Sequence, residues 1–425
     1  MRDKVKIETL KEWEADTQQY YAPGVLLRVH NGKGVLREVF GTLEGKTYLS
    51  LMMGTEPLFE FQGDEYFCPT CEKILRSGYG LGPEYHIQTD KINQKKETVP
   101  LQSAIQEIEP LLGLLPSGIY AVIDTVLHPT DGNGHIFWDV PAGMTDVDTT
   151  DWKGTCLYYF GNGEWGSSRP HFMVATEPKC QCNMERVEYY RKNPGSRAIA
   201  YYIDGYMTAL LDGHHKTLAA ALENRDINAL VIIPAHLYWK GIPGTEGYTP
   251  ALSAGDLSFY FEDLNIGKKE VRKFSKENPW STRVTEAEMY DIRKRVIKNN
   301  QAHELPVPAD GIAERYPDVR EQAYIDSMGV IPDELLEDIL QKRMVYSDEE
   351  VQRLMIVLSG IHHKRAREMG EFFSRQPYLG ETLYVVLKEM MKLPGDEELE
   401  AFFIERMVEL EDEYPYIRDL ILDYL

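Results

Sequence analysis

The sequence is short of cysteine, short of positive charge and empty of long apolar runs. Its 425 residues hold five cysteines: Cys68, Cys71, Cys156, Cys180 and Cys182. Five in so long a chain do not make the disulfide framework that small secreted domains use in place of a core. Lys and Arg number 46 against 68 Asp and Glu, a formal net charge of −22. That sign repels a phosphate backbone, so general nucleic-acid binding through bulk electrostatics is not expected. No apolar run approaches the ~18–20 residues that a membrane span needs. The N-terminal stretch MRDKVKIETLKEWEAD is charged throughout and lacks the apolar core of a signal peptide. A cytoplasmic protein without membrane contact is expected. The first half has no repeat of fixed period.

What is present is a globular balance of 43% hydrophobic and 27% charged residues, over a length that suits two or three domains. The acidity is uneven. Residues 301–425 carry 28 acids and 13 bases, whereas the first 300 residues carry 40 and 33. Texture changes with it, from Gly, Tyr and β-branched residues to Leu, Glu, Met and Arg at helical spacing. The expected fold class is α+β in three parts. These are a β-rich N-terminal domain over 1–165, an α/β domain over 166–283 and an acidic antiparallel helical region over 284–425.

Along the chain, residues 1–22 read as a short helix with Leu10 and Trp13 on one face. GVLLRVHNGKGVLREVFG reads as two strands around an Asn31-Gly32 turn. KTYLSLMMG, PLFEFQG, GIYAVIDTVLH and GHIFWDVP read as strands, and 100–114 as a helix. Over 170–235 the order is strand PHFMVAT, helix NMERVEYYRKNP, a hairpin turning at Asp204-Gly205, helix HHKTLAAALENR and strand NALVIIP. The run 240–255 reads as a loop. Thr285 with Glu288 is a capping-box pattern opening the helical region, and SDEEVQRLMIVLSGIHHKRAREMGEFF is one of several amphipathic stretches after it.

The motif with the most chemistry is LLDGHHKTLAAA, Leu210 to Ala221. A strand ends at Asp212, Gly213 turns and a helix starts. Helix N-termini present free N–H groups and partial positive charge to anions. Gly213 lets the backbone approach a ligand. Lys216 would supply a point charge for a phosphate, and His214 and His215 donors or a proton-transfer group. Asp212 is the expected N-cap, or else a ligand to a divalent cation. The plain alternative is an ordinary Asp-Gly turn followed by two exposed histidines.

The stretch from Met173 to Ala235 resembles the ParB/sulfiredoxin-like superfamily, in which a strand, a helix, a hairpin and a strand–glycine–polar–polar–basic–helix element follow in this order. Gly213, His214, His215 and Lys216 stand at the motif positions, followed by the small residues Leu218 to Ala221. The DGHH form resembles the branch of ADP-dependent serine kinases and related bacterial proteins more than it resembles sulfiredoxins. The resemblance covers about a sixth of the chain. It implies a nucleotide phosphate at Gly213–Lys216; phosphoryl transfer there would call for a divalent cation, Mg²⁺, to neutralise the phosphates. Several departures limit it. His214 stands where sulfiredoxin needs a cysteine, the downstream helices are acidic where ParB partition proteins are basic, and Lys216 replaces the usual Arg.

Phosphoryl transfer needs a carboxylate to orient the attacking hydroxyl. Glu177 is the expected one, and Glu185 is read as a solvated helix position. The expected activity is nucleotide binding with phosphoryl transfer to a small molecule. The alternatives are a nucleotide-responsive regulator acting through a protein partner of the acidic helical region, and a ParB-like nuclease, which the charge disfavours.

YFCPTCEKIL resembles a zinc-ribbon knuckle, since Cys-x-x-Cys in a tight turn presents two thiolates to one metal. Cys68 and Cys71 with Cys180 and Cys182 would make a closed structural zinc site. His86 or Cys156 are alternative ligands, and unligated thiols or a redox pair are the other readings. SGYGLG over 77–82 lacks the dinucleotide-binding context. DGNGH over 131–135 and the aspartates around 146–151 fit turn chemistry better than an EF-hand loop. The basic run IHHKRAREMG is expected to balance neighbouring acids.

Overall fold

The structure, a computed structural model, describes residues 4–15, 22–63, 73–76, 99–132, 134–136, 138–139, 169–177, 181–240, 249–264, 266–267, 269–270, 281–299, 305–307, 311–344, 346–410 and 414–425. The chain is an α+β protein that divides into two compact units, one extending to Tyr316 and one over Pro317–Leu425. Among the described residues the strands are β1 (Lys6–Trp13), β2 (Gly24–His30), β3 (Leu36–Leu43), β4 (Lys46–Met53), β5 (Glu56–Gly63), β6 (Lys73–Arg76), β7 (Gly118–Leu127), β8 (Phe172–Ala175), β9 (Ala198–Asp204), β10 (Met207–Asp212), β11 (Ile227–Pro234), β12 (His236–Lys240), β13 (Thr249–Ala254), β14 (Leu257–Tyr260) and β15 (Ser281–Arg283). The helices of the first unit are α1 (Leu101–Leu112), α2 (Met184–Lys192), α3 (His214–Leu222) and α4 (Glu286–Asn299).

Seven strands form one sheet in the order β1-β2-β7-β11-β9-β10-β8. It takes strands from both sides of residue 165, so the expected boundary there runs through a single hydrogen-bonded sheet. Strand β9 is parallel to β11 and antiparallel to β10, and β10 is parallel to β8. The order strand–helix–hairpin–helix–strand expected over 170–235 is therefore present. Helix α3 is buried on every side, from His214 to Ala221. Small residues allow that depth: Ala219 and Ala220 share a core with Ala198, Ala200 and Ala229 of the strands.

Four expectations are corrected. Residues 6–13 form the edge strand β1 rather than a helix. Pairing with β2 outweighs the three-residue spacing of Leu10 and Trp13, and a register shift between Thr9 and Lys11 accommodates Leu10. Strands β2 and β3 make no hairpin, because β2 is already paired on both edges, with β1 and β7. The Asn-Gly segment instead sends the chain into a second sheet, and the amides of Lys33 to Leu36 donate to carbonyls of Gly113, Leu114 and Leu115 on the way. Of the stretch 134–141, the described residues 134–136 and 138–139 contribute only an isolated bridge from Ile136 to Thr130. The loop read over 240–255 contains β13, the middle strand of a three-stranded sheet β12-β13-β14.

The second sheet, β15-β3-β4-β5-β6, is covered by α4, where Ile292 and Val296 pack on Val39 and Met52. The capping box that opens α4 is formed: Glu288 N–H donates to Thr285 Oγ1 (3.3 Å), and Thr285 N–H to Glu288 Oε2 (2.8 Å). Helix α4 thus belongs to the first unit, although it lies past the expected boundary at 284.

The second unit is helical: α5 (Val319–Met328), α6 (Asp333–Leu340), α7 (Asp348–Gly360), α8 (Ala366–Ser374), α9 (Gly380–Met391), α10 (Glu397–Leu410) and α11 (Pro415–Tyr424). Asp318 with Glu321, and Ser347 with Glu350, close capping boxes. The amphipathic stretch starting at Ser347 is broken at His362, whose φ is +50°, into α7 and α8. Its basic run meets acids as expected, Lys364 pairing with Asp333 and Arg365 with Glu337 and Glu368.

Candidate functional site

Strand β10 ends in a register shift: Leu210 pairs with Ala200 but Asp212 pairs with Ile199. Such a bulge re-aims the residues that follow. Gly213 then caps α3 with φ +110° and no side-chain capping bond, so Asp212 is the last strand residue and not the N-cap. A Cβ at 213 would lie 3.0 Å from Lys216 Cε and 3.2 Å from Ala198 Cβ. Both the positive φ and this close approach require glycine.

His214 is 2% exposed. Its Nε2 accepts from the backbone N–H groups of Thr176 (3.1 Å) and Glu177 (3.0 Å). An imidazole nitrogen that accepts twice carries no proton, so the proton sits on Nδ1. That nitrogen lies 3.4 Å from Glu177 Oε1. The histidine therefore locks the end of β8 to the start of α3 and sets Nδ1 beside the Glu177 carboxylate without a hydrogen bond to it. Thr176 strengthens the same junction by donating from Oγ1 to Leu210 O (2.6 Å).

Glu177 is 7% exposed. Burial, and then the charge of Asp212, push its carboxyl up to about 7. Asp212 is itself 6% exposed, and its Oδ2 has no hydrogen-bond partner among the described residues. The two carboxylates thus lie close enough to repel one another, in a place where water does not screen them.

His215 Nε2 accepts from Asn183 N–H (3.1 Å), and burial with the nearby Arg186 guanidinium lowers its pKa to about 4. It is a neutral spacer at pH 7. Asn183 is the N-cap of α2, its side chain accepting from the N–H groups of Glu185 and Arg186. The first turns of α2 and α3 are therefore in contact, and the positive ends of two helices meet beside Glu177 and Asp212. Trp138 roofs the histidines, its ring edge-on to His215 at 5.4 Å and its Nε1 donating to Glu177 O (3.0 Å).

Lys216 does not occupy the place expected of it. It is 3% exposed, and its Nζ donates to Arg197 O (2.6 Å). Burial lowers its pKa, and its ammonium serves the fold. The cation at the rim is Arg186, an exposed residue in the first turn of α2 whose charge acts on Glu177, His215 and Lys216. It was missed in the sequence, although a signal existed: a basic residue in a first turn opposes the helix dipole. Trp138 was missed because its segment reads as a strand. Glu185 is exposed on α2, as expected.

Cys68, Cys71, Cys156, Cys180 and His86 lie outside the described residues. Cys182 is half-buried, with its thiol pushed up by burial and its Sγ 3.9 Å from Met184 Sδ. Among the described residues no group of three or more His, Cys, Asp or Glu side chains is arranged to hold a metal ion. In the 131–135 loop, Asp131 accepts from His135 Nδ1 (2.9 Å) and His135 N–H (3.2 Å), which is turn chemistry. No helix among the described residues is long and apolar enough to cross a membrane. Compared with protein-family models, curated proteins and solved structures, the chain has no match in any of the three.

Proposed function

We propose that this chain is a nucleotide-binding protein of the ParB/sulfiredoxin-like class that transfers a phosphoryl group to a hydroxyl of a small molecule. One observation carries the reading: Glu177, Asp212 and His214 meet where the N-termini of α2 and α3 converge. The two helix ends and Arg186 would hold phosphate oxygens. Glu177, balanced near neutrality, would take the proton as the acceptor hydroxyl attacks phosphorus and the bond to the bridging oxygen breaks. His214 would turn its Nδ1–H to the ionised carboxylate. Asp212 Oδ2 suits a Mg²⁺ ion, which needs only one or two carboxylates when phosphates supply further oxygens. Such an ion would neutralise phosphate charge.

A thermal-shift series with ATP, ADP, CTP and GTP, with and without magnesium, tests the binding. No shift with any of them sinks the proposal. Glu177→Gln is expected to keep the shift and abolish turnover, so unchanged turnover removes Glu177 from its role. The structural zinc at Cys68, Cys71, Cys180 and Cys182 is a separate proposal. Metal analysis of the purified protein tests it, and absence of zinc rejects it.

A further inference from the structure

Helix α10 has two apolar faces. One holds Leu399, Phe403 and Leu410 in the core of the helical unit. The opposite one is exposed and runs Glu397, Ala401, Ile404, Val408, with Ile404 48% and Val408 66% exposed. Steps of four, three and four residues keep side chains on one stripe and are the seam spacing of paired helices. Packing inside the unit explains the first face and leaves the second unexplained.

The charge beside the second face is mainly acidic, with the exposed Arg375 offsetting one acid. Glu400 and Glu405 flank it, and both are exposed. Glu405 pairs with Arg375, while Glu397 and Glu400 have no ion-pair partner among the described residues. The one base of the helix, Arg406, is buried, bonded to Ser374 O and paired with Glu409. A helix laid along this seam would face glutamates at its flanks. Flanking charges select the partner, and acids select bases. A second copy of this chain would bring the same acids into register and be repelled, as would an anionic lipid surface.

We infer that the outer face of α10 docks an amphipathic helix of a partner protein whose apolar stripe is flanked by Lys or Arg. Its hydrophobic anchors would cover Ile404 and Val408, and its cations would pair with Glu397 and Glu400.

The test uses the full chain and a fluorescein-labelled synthetic helix, with leucines at the same four-three spacing and flanking lysines. Binding is followed by anisotropy at moderate and high salt. The double variant Ile404→Gln, Val408→Gln leaves the charge unchanged and is expected to weaken binding at least about tenfold, as loss of a central apolar anchor does. Glu397→Gln with Glu400→Gln is expected to reduce the salt dependence. A scrambled peptide of the same composition should bind weakly, and circular dichroism checks that the variants fold. Equal binding by wild type and the Ile404/Val408 variant would mean bulk charge attraction alone and would overturn the proposal, as would no binding to wild type. Concentration-dependent self-association of the chain, lost in the same variant, would assign the face to a second copy and overturn it as well.

Discussion

Replacing Glu177 with glutamine changes a pH dependence whose size follows from the site. Burial beside Asp212 raises the Glu177 pKa from the usual 4.5 to about 7. Each pH unit of difference between folded and unfolded chains corresponds to about 1.4 kcal/mol, so the whole rise is worth about 3 kcal/mol. The sign is fixed by which state holds the proton. Below pH 4.5 both states are protonated and the effect vanishes. Between pH 4.5 and 7 the unfolded chain ionises while the folded one does not, so stability falls as pH rises. Above pH 7 both are ionised and the full penalty is present. Glutamine keeps the shape and removes the titration. The stability of Glu177→Gln relative to wild type should therefore rise by about 3 kcal/mol between pH 4.5 and 7.5. Urea unfolding followed by tryptophan fluorescence reads this out cleanly, because all six tryptophans precede residue 317 and report only the first unit. Glu60, on β5 and outside the site, is raised in both proteins and cancels in the difference. Parallel stability–pH curves for the two proteins would refute the burial argument and, with it, the poised carboxyl.

Gly213→Ala places a Cβ 3.0 Å from Lys216 Cε at a φ of +110°, and is expected to lose about 1–3 kcal/mol in the same unfolding assay. Unchanged stability would show that the turn relaxes freely. Arg186→Ala removes an exposed side chain and should leave stability within about 0.5 kcal/mol, while calorimetric titration shows nucleotide binding weakened about tenfold or more. Equal affinity would remove Arg186 from the site. Glu60, fully buried on β5 against Arg293, is likewise raised to about 7 by burial. Glu60→Gln should therefore gain on wild type as pH rises from 4.5 to 7, with a flat difference refuting it.

Local chemistry was legible in the sequence wherever neighbours along the chain decide the outcome. The Asp204-Gly205 hairpin and the Thr285–Glu288 capping box each rest on contacts a few residues apart. Pairing across the fold was not legible. Nothing in Asn31-Gly32 tells that β2 has both edges taken, and nothing in Leu10 and Trp13 tells that an edge strand outweighs a helix. The site divides the same way. Gly213 and the start of α3 follow from turn chemistry, whereas the contact of His214 with Glu177 needs β8 to lie parallel to β10, which is a property of the sheet.

The two cations of the site separate sequence position from role. Lys216 and Arg186 each stand three residues after a helix cap, Gly213 and Asn183, so helix geometry gives them equivalent places. Burial gives them opposite work. After Lys216 comes Thr-Leu-Ala-Ala-Ala-Leu, with no charge before Glu223; a helix that is apolar all round is an interior helix, and its single ammonium must find a carbonyl inside. Arg197 O supplies one. Helix α2 carries Glu185, Glu188, Arg191 and Lys192 and buries only Val187 fully, so it lies on the surface and its first-turn Arg186 faces solvent. The amphipathicity of the helix, more than the distance of a base from the glycine, therefore decides which cation is open to solvent.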